Sequence, residues 1–215
     1  MMPVNFRVPE GPKHPVPEGT FQAVCNGVWD IGLQETTFKG VTKMKYQIII
    51  QWELNETIND PEDPEKHGNR YVIRKKYNNI FSNRASLKID LEAWRGKAFT
   101  PPEIMDFNIE NLVGANCLLQ ITRNETESGT YSNITGVMKM PKGTPKITPN
   151  VSADAPDWIV ELQTKGRINE SAQKQTSPEP PPPTEEPTVV KCAQCGLIVD
   201  SVDKDGYCDS CSLPF

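Results

Sequence analysis

Between Thr20 and Met140 the chain keeps a fixed order: three strand-like runs, one amphipathic helix, then two more strand-like runs. Thr42 to Leu54 carries the clearest signal. Met44, Tyr46, Ile48, Ile50, Trp52 and Leu54 recur at every second position, while Lys43, Lys45, Gln47, Gln51 and Glu53 fill the alternate ones, interrupted only by Ile49. A period of two sends successive side chains to opposite faces of a sheet. One face is therefore expected to be core, Tyr46 and Trp52 included, and the other to meet water or a ligand.

The remaining elements read more briefly. The first strand is Thr20 to Trp29, with Phe21, Ala23, Cys25, Gly27 and Trp29 on one face and a turn predicted at Asp30-Ile31-Gly32. The third is Arg70 to Tyr77, after a polar loop from Asn59 to Asn69. Ser86 to Trp94 is the helix, since Leu87, Leu91 and Trp94 fall at i, i+4 and i+7; Ser82 or Asn83 is the expected cap and Gly96 the stop. Thr100-Pro101-Pro102-Glu103 predicts a short second helix with Pro in its first turn. Phe107 to Leu112 reads as a further helical turn ending at Gly114. Strands four and five are Asn116 to Arg123 and Thr130 to Met140, joined by a hairpin around Ser128-Gly129.

Five strands with a helix between the third and fourth is the order of the oligonucleotide/oligosaccharide-binding (OB) fold, a Greek-key barrel. The expected architecture is mainly β: a lead-in over 1–19, an OB-type barrel over 20–143, a Pro/Glu-rich linker over 144–190, and a small cysteine module over 191–215. The linker is expected to be extended and flexible, because Pro141, Pro145, Pro149 and the run Ser177 to Pro187 leave little apolar surface to bury. Trp158-Ile159-Val160-Glu161-Leu162 is the exception, able to dock on the barrel or on a partner. Charge follows the same division. Residues 1–150 hold 18 Lys+Arg against 17 Asp+Glu, whereas residues 151–215 hold 5 against 11. A near-neutral body with an acidic tail argues against a histone-like basic protein but permits a local basic groove.

Several separated blocks carry a resemblance. They are Asp30-Ile31-Gly32-Leu33-Gln34-Glu35-Thr36; Leu87-Lys88 with Asp90 through Thr100; Phe107 through Gly114 with Cys117-Leu118-Leu119; and Tyr131-Ser132-Asn133-Ile134 with Met140-Pro141-Lys142-Gly143. Over roughly residues 20–143 the chain resembles a family of bacteriophage replication and recombination proteins taken to be OB-fold single-stranded-DNA-binding proteins. The resemblance stops before the cysteines. It implies an OB barrel that binds single-stranded DNA.

Cys192-Ala-Gln-Cys195 and Cys208-Asp-Ser-Cys211 form two Cys-x-x-Cys knuckles twelve residues apart. Four thiolates at this spacing can converge tetrahedrally on one Zn²⁺. In a reducing compartment zinc is favoured over disulfides or a redox pair. With four sulfur ligands no position is left open, so the zinc is expected to be structural. Cys25 and Cys117, inside strands, read as small core residues.

For nucleic acid, an OB surface pairs phosphates with Lys and Arg and stacks bases on aromatic rings. Lys43, Lys45, Arg74, Lys75 and Lys76 are the expected phosphate contacts, and Tyr77, Trp29 or Tyr131 the expected stacking rings. The expected function is non-catalytic, sequence-independent coating of single-stranded DNA, with the tail recruiting replication or recombination proteins; homo-oligomer formation is compatible with this. The alternative is a protein-interaction adaptor of the replication or transcription machinery, with the zinc ribbon as the contact and the barrel as scaffold. A nuclease using Asp60, Glu62, Asp63 and Glu65 with a divalent metal is a weaker rival. His14 and His67 are the only histidines, and there is no Gly-rich phosphate loop or Ser/His/Asp arrangement. No apolar span or signal peptide is evident, so no membrane association is expected. The expected location is the cytoplasm, that of a bacterial host if the chain is phage-encoded.

Overall fold

The computed structural model describes residues 13–126, 129–150, 154–176, 190–191 and 198–199. Two units separate near residue 174. In the first, five antiparallel strands form one open sheet in the order β3-β2-β1-β4-β5. The strands are β1 (Gly19–Phe38), β2 (Val41–Thr57), β3 (Arg70–Asn78), β4 (Asn116–Thr126) and β5 (Gly129–Met138). β1 is the shared strand: it pairs with β2 along nearly all its length and with β4 only over Gly19–Val24. Edge strands β3 and β5 approach each other, but no ladder joins them among the described residues.

The alternation on β2 organises the interior. Ile48, Ile50, Trp52 and Leu54 are all nearly inaccessible. They face α1 (Ser86–Arg95), which buries Leu87, Leu91 and Trp94 against them. The Trp52 and Trp94 rings lie 5.9 Å apart, and Phe99 meets Phe81 and Phe107 edge-on at 5.1 and 5.0 Å. Each such side chain removed from water is worth about 1.5–3 kcal/mol. α1 stops at Gly96, which takes a left-handed φ of +72° and donates its N–H to Glu92 O. Its start differs from the expectation: Ala85 precedes it, neither Ser82 nor Asn83 caps it, and Asn83 Oδ1 instead accepts from Lys88 Nζ at 2.7 Å. α2 (Pro101–Asp106) begins with a capping box between Thr100 and Glu103, and a 3-10 turn follows at Ile109–Leu112.

Three further expectations are corrected. β1 does not end at Trp29; Asp30-Ile31-Gly32 is a bulge, and the strand continues to Phe38. A second bulge between Cys25 and Gly27 reverses parity, so Cys25 opposes core residue Trp52 while Trp29 opposes Ile49 on the other face. Tyr46 lies beyond the cover of α1 and is exposed, although Trp52 is core.

The largest departure concerns 144–176. Instead of an extended tether, residues 145–150 run along the sheet. Pro145 O accepts from Gln22 Nε2, Ile147 bonds Asn116, and the Asn150 N–H donates to the buried Glu53 carboxylate. α3 (Asp157–Thr176) then packs on the face of the sheet away from α1, where Ile159 joins Trp29, Ile31 and Ile49 in a second, smaller cluster. The second face of β2 is therefore covered from Gln47 to Glu53 rather than open to water. In the second unit, β6 (Val190–Lys191) pairs antiparallel with β7 (Ile198–Val199). Among the described residues no helix is long and apolar enough to cross a membrane.

Candidate nucleic-acid interface

The β1–β2 arm is closed by Lys39-Gly40, with φ of +50° and +77°. Positive φ at both central residues is the turn geometry that matches the twist of a two-residue hairpin. The resulting register pairs Phe38 with Val41, Thr36 with Lys43 and Gln34 with Lys45. Directly opposed residues share a face. Phe38, Val41, Lys43 and Lys45 therefore stand on one side of the arm, around a shallow groove of about 380 Å³ also lined by Thr36 and Lys39. Phe38 is 70% exposed, and Lys39 Nζ sits 5.6 Å from the centre of its ring. An uncovered ring among three ammonium groups can offer a stacking platform and phosphate contacts together.

Register separates the expected basic cluster of β3. Arg74 opposes Gln51 and Lys76 opposes Ile49, so both share the outer face with Lys43 and Lys45. Arg74 Nε donates to Gln51 Oε1 at 2.5 Å, and its guanidinium lies 5.2 Å from the Trp158 ring of α3. Partial burial lowers its pKa. Lys75, one residue out of step, points toward α1 and binds Asp90 at 2.7 Å. The Tyr77 hydroxyl donates to the same carboxylate at 2.7 Å, and the side chain is only 2% exposed. Burial, then the Asp90 charge, raises its ionisation far above the usual tyrosine range. Lys75 and Tyr77 thus tie β3 to α1 and present neither cation nor ring to the outer face.

Trp29 reaches the outer face but lies beneath α3, with its ring directly over Gly27, where any Cβ would collide with it. Tyr131 is partly exposed on β5, opposite Asn124, beyond the end of β1 remote from the β1–β2 arm. Of the eight expected contacts, Lys43, Lys45, Arg74, Lys76 and Trp29 share a face, Trp29 covered by α3; Lys75, Tyr77 and Tyr131 are placed elsewhere. Sequence reasoning missed Phe38, Lys39 and Val41. The signal was present, because an aromatic residue followed by Lys-Gly is a hairpin tip once β1 is allowed to pass Gly32.

On the α1 side, α1, α2 and the 3-10 turn enclose an apolar groove of about 710 Å³, lined by Leu91, Trp94, Phe99, Phe107 and Met140 among others. Arg95 closes its rim, paired with Glu103 at 2.6 Å and stacked 4.1 Å from the Phe99 ring centre. No group of three or more His, Cys, Asp or Glu side chains is placed to hold a metal among the described residues. Cys192, Cys195, Cys208 and Cys211 lie outside the described residues, as do Glu127 and Ser128 at the β4–β5 hairpin tip.

The chain matches no family model and no curated protein sequence.

Proposed function

We propose that this chain is a non-catalytic single-stranded-DNA-binding protein built on an OB-type body. The observation that carries the reading is the one-sided basic and aromatic face of the β1–β2 arm, Phe38 with Lys39, Lys43 and Lys45. The sheet order supports it: β3-β2-β1-β4-β5 is the order of an OB barrel opened between its third and fifth strands, and OB folds bind oligonucleotides on strands two and three and the adjoining loops. Lys43 and Lys45 track phosphates, Arg74 and Lys76 extend the track along β3, and Phe38 stacks a base. Such a site reads backbone and ring, not base edges, so binding is sequence-tolerant and falls steeply with salt. The cysteine module carries a structural Zn²⁺ on Cys192, Cys195, Cys208 and Cys211, and recruits replication or recombination proteins in the host cytoplasm. Anisotropy titration of labelled oligo-dT at two salt concentrations tests the reading; loss of affinity in a Lys43→Ala/Lys45→Ala variant is the expected outcome.

A second reading, the protein-interaction adaptor, is favoured by the apolar groove between α1 and α2. It predicts no oligo-dT binding at any salt.

A further inference from the structure

The basic face of the arm continues onto the body without changing side. Lys43, Lys45, Gln47, Ile49 and Gln51 follow one another on β2, with Trp29 opposite Ile49 and Arg74 and Lys76 alongside on β3. Cation, amide and ring in one row suit a single strand laid across the sheet. The middle of that row, Trp29, Gln47, Ile49 and Gln51, is buried where α3 packs, while Lys43, Arg74 and Lys76 at its margins stay exposed.

We propose that α3 is a built-in competitor of the ligand: it occupies the path of single-stranded DNA across β1–β3 and leaves the sheet when the strand binds. The inference rests on the single-stranded-DNA reading above, and concerns how much of that site is open before the ligand arrives. The arm makes first contact; the sheet face, with Trp29 and Arg74, completes the site once α3 has gone.

Three features carry it. First, α3 offers the sheet a group that a strand would offer. The Trp158 ring lies over the Arg74 guanidinium, as a base would. Second, the hold is thin in apolar contact and rich in replaceable polar contact. Ile159 is fully buried against Trp29, Ile31 and Ile49, and among the described residues 154–173 only Ala155 and Leu162 join it in that cluster. The other anchors join side chains to backbone carbonyls: Gln34 Nε2 to Leu162 O at 2.9 Å, Gln163 Nε2 to Asp30 O at 2.9 Å, and Asn169 Nδ2 to Leu33 O at 2.8 Å. Third, the opposite side of the helix leaves Val160 48% and Ile168 63% exposed, so docking does not use all its apolar surface.

Docking also depends on one close approach. A Cβ on Gly166 would run into the Ile31 carbonyl oxygen, and one on Gly32 would stand 3.3 Å from Gly166 Cα. Gly166→Leu therefore lifts α3 without touching the arm. Gln163→Ala/Asn169→Ala loosens it without any clash, and decides the matter should the leucine variant not fold. With the full-length chain and labelled oligo-dT, either variant is expected to bind about tenfold tighter, as when a binding-competent state held to roughly a tenth of the population becomes dominant. In the wild-type chain, saturation with oligo-dT should speed hydrogen exchange at α3 amides while β2 amides stay protected. Unchanged or weaker affinity in the folded variants, or slower exchange across α3 in the complex, overturns the competitor and leaves the DNA-binding reading standing. No binding by wild type or variants overturns both.

Discussion

Whether a lysine on this sheet can meet a ligand is decided by the parity of its strand position. Lys43 and Lys45 keep step with Gln47 and Ile49, so they face outward, whereas Lys75 falls between Arg74 and Lys76 and turns to Asp90. Replacing Lys43 and Lys45 by Ala should weaken oligo-dT binding and flatten the slope of log K against log salt by about 0.7 for each phosphate no longer neutralised. Phe38→Ala should lower affinity with the slope unchanged, by about 1–3 kcal/mol if one base stacks there. Asp90→Ala should behave oppositely, leaving affinity intact. It strands the buried Tyr77 hydroxyl, and urea denaturation should show a loss of about 1–3 kcal/mol. Asp63 offers a check by pH. Its hydrogen bonds from His14 and then Lys13 hold its carboxyl at about 2. A carboxyl lowered in the folded state contributes stability above its ordinary range and loses it as pH falls toward 2. An NMR titration should find that low midpoint, and His14→Ala should move it up.

At the level of elements, legibility in the sequence tracked how local the deciding interactions are. α1 was readable because Leu87, Leu91 and Trp94 form one stripe and Gly96 ends it. Trp94→Ala should cost about 3–5 kcal/mol in denaturant unfolding, as the loss of a large side chain from a packed interior does. The end of β1 was misread for a physical reason. Asp30 Oδ1 accepts from the Gly32 N–H at 2.8 Å, the same local bond that makes Asp-x-Gly a turn signal, yet pairing with β2 carries the strand onward and the bond serves a bulge. The bulge at Asn26 had no signal in the alternation, and it alone moves Trp29 from the expected face to the other. α3 was legible only in part. Trp158 to Leu162 read as a segment able to dock on the body, and Ile159 and Leu162 do so. The helix through Thr176 was not foreseen, for a different reason. Its docking surface of Trp29, Ile31 and Ile49 exists only after both bulges form, and its own apolar content toward the sheet is little more than Ile159 and Leu162. Of the eight expected DNA-binding residues, Lys43 and Lys45 share the predicted face because the β2 alternation fixes them, and Arg74, Lys76 and Trp29 join them only through their pairing with β2. Lys75 and Tyr77 failed because local density of charge says nothing about parity.

Across the whole molecule, the proposal divides the work between the five-stranded body and a cysteine module that falls in a separate unit. Metal analysis of the full-length chain should find one equivalent of zinc, absent from Cys192→Ser and Cys208→Ser variants, while the oligo-dT affinity contributed by the β1–β2 arm persists. Under the proposal the four cysteines would leave the ion no open position, so its removal should unfold the module without changing what the sheet binds. The central claim is that the arm and the adjoining outer face bind single strands through phosphate and ring. Fluorescence anisotropy of labelled oligo-dT with the full-length chain, at low and moderate salt, tests it most directly. Binding should weaken steeply as salt rises and drop in Lys43→Ala/Lys45→Ala. Absence of binding at low salt, or binding indifferent to both salt and these lysines, would contradict the claim.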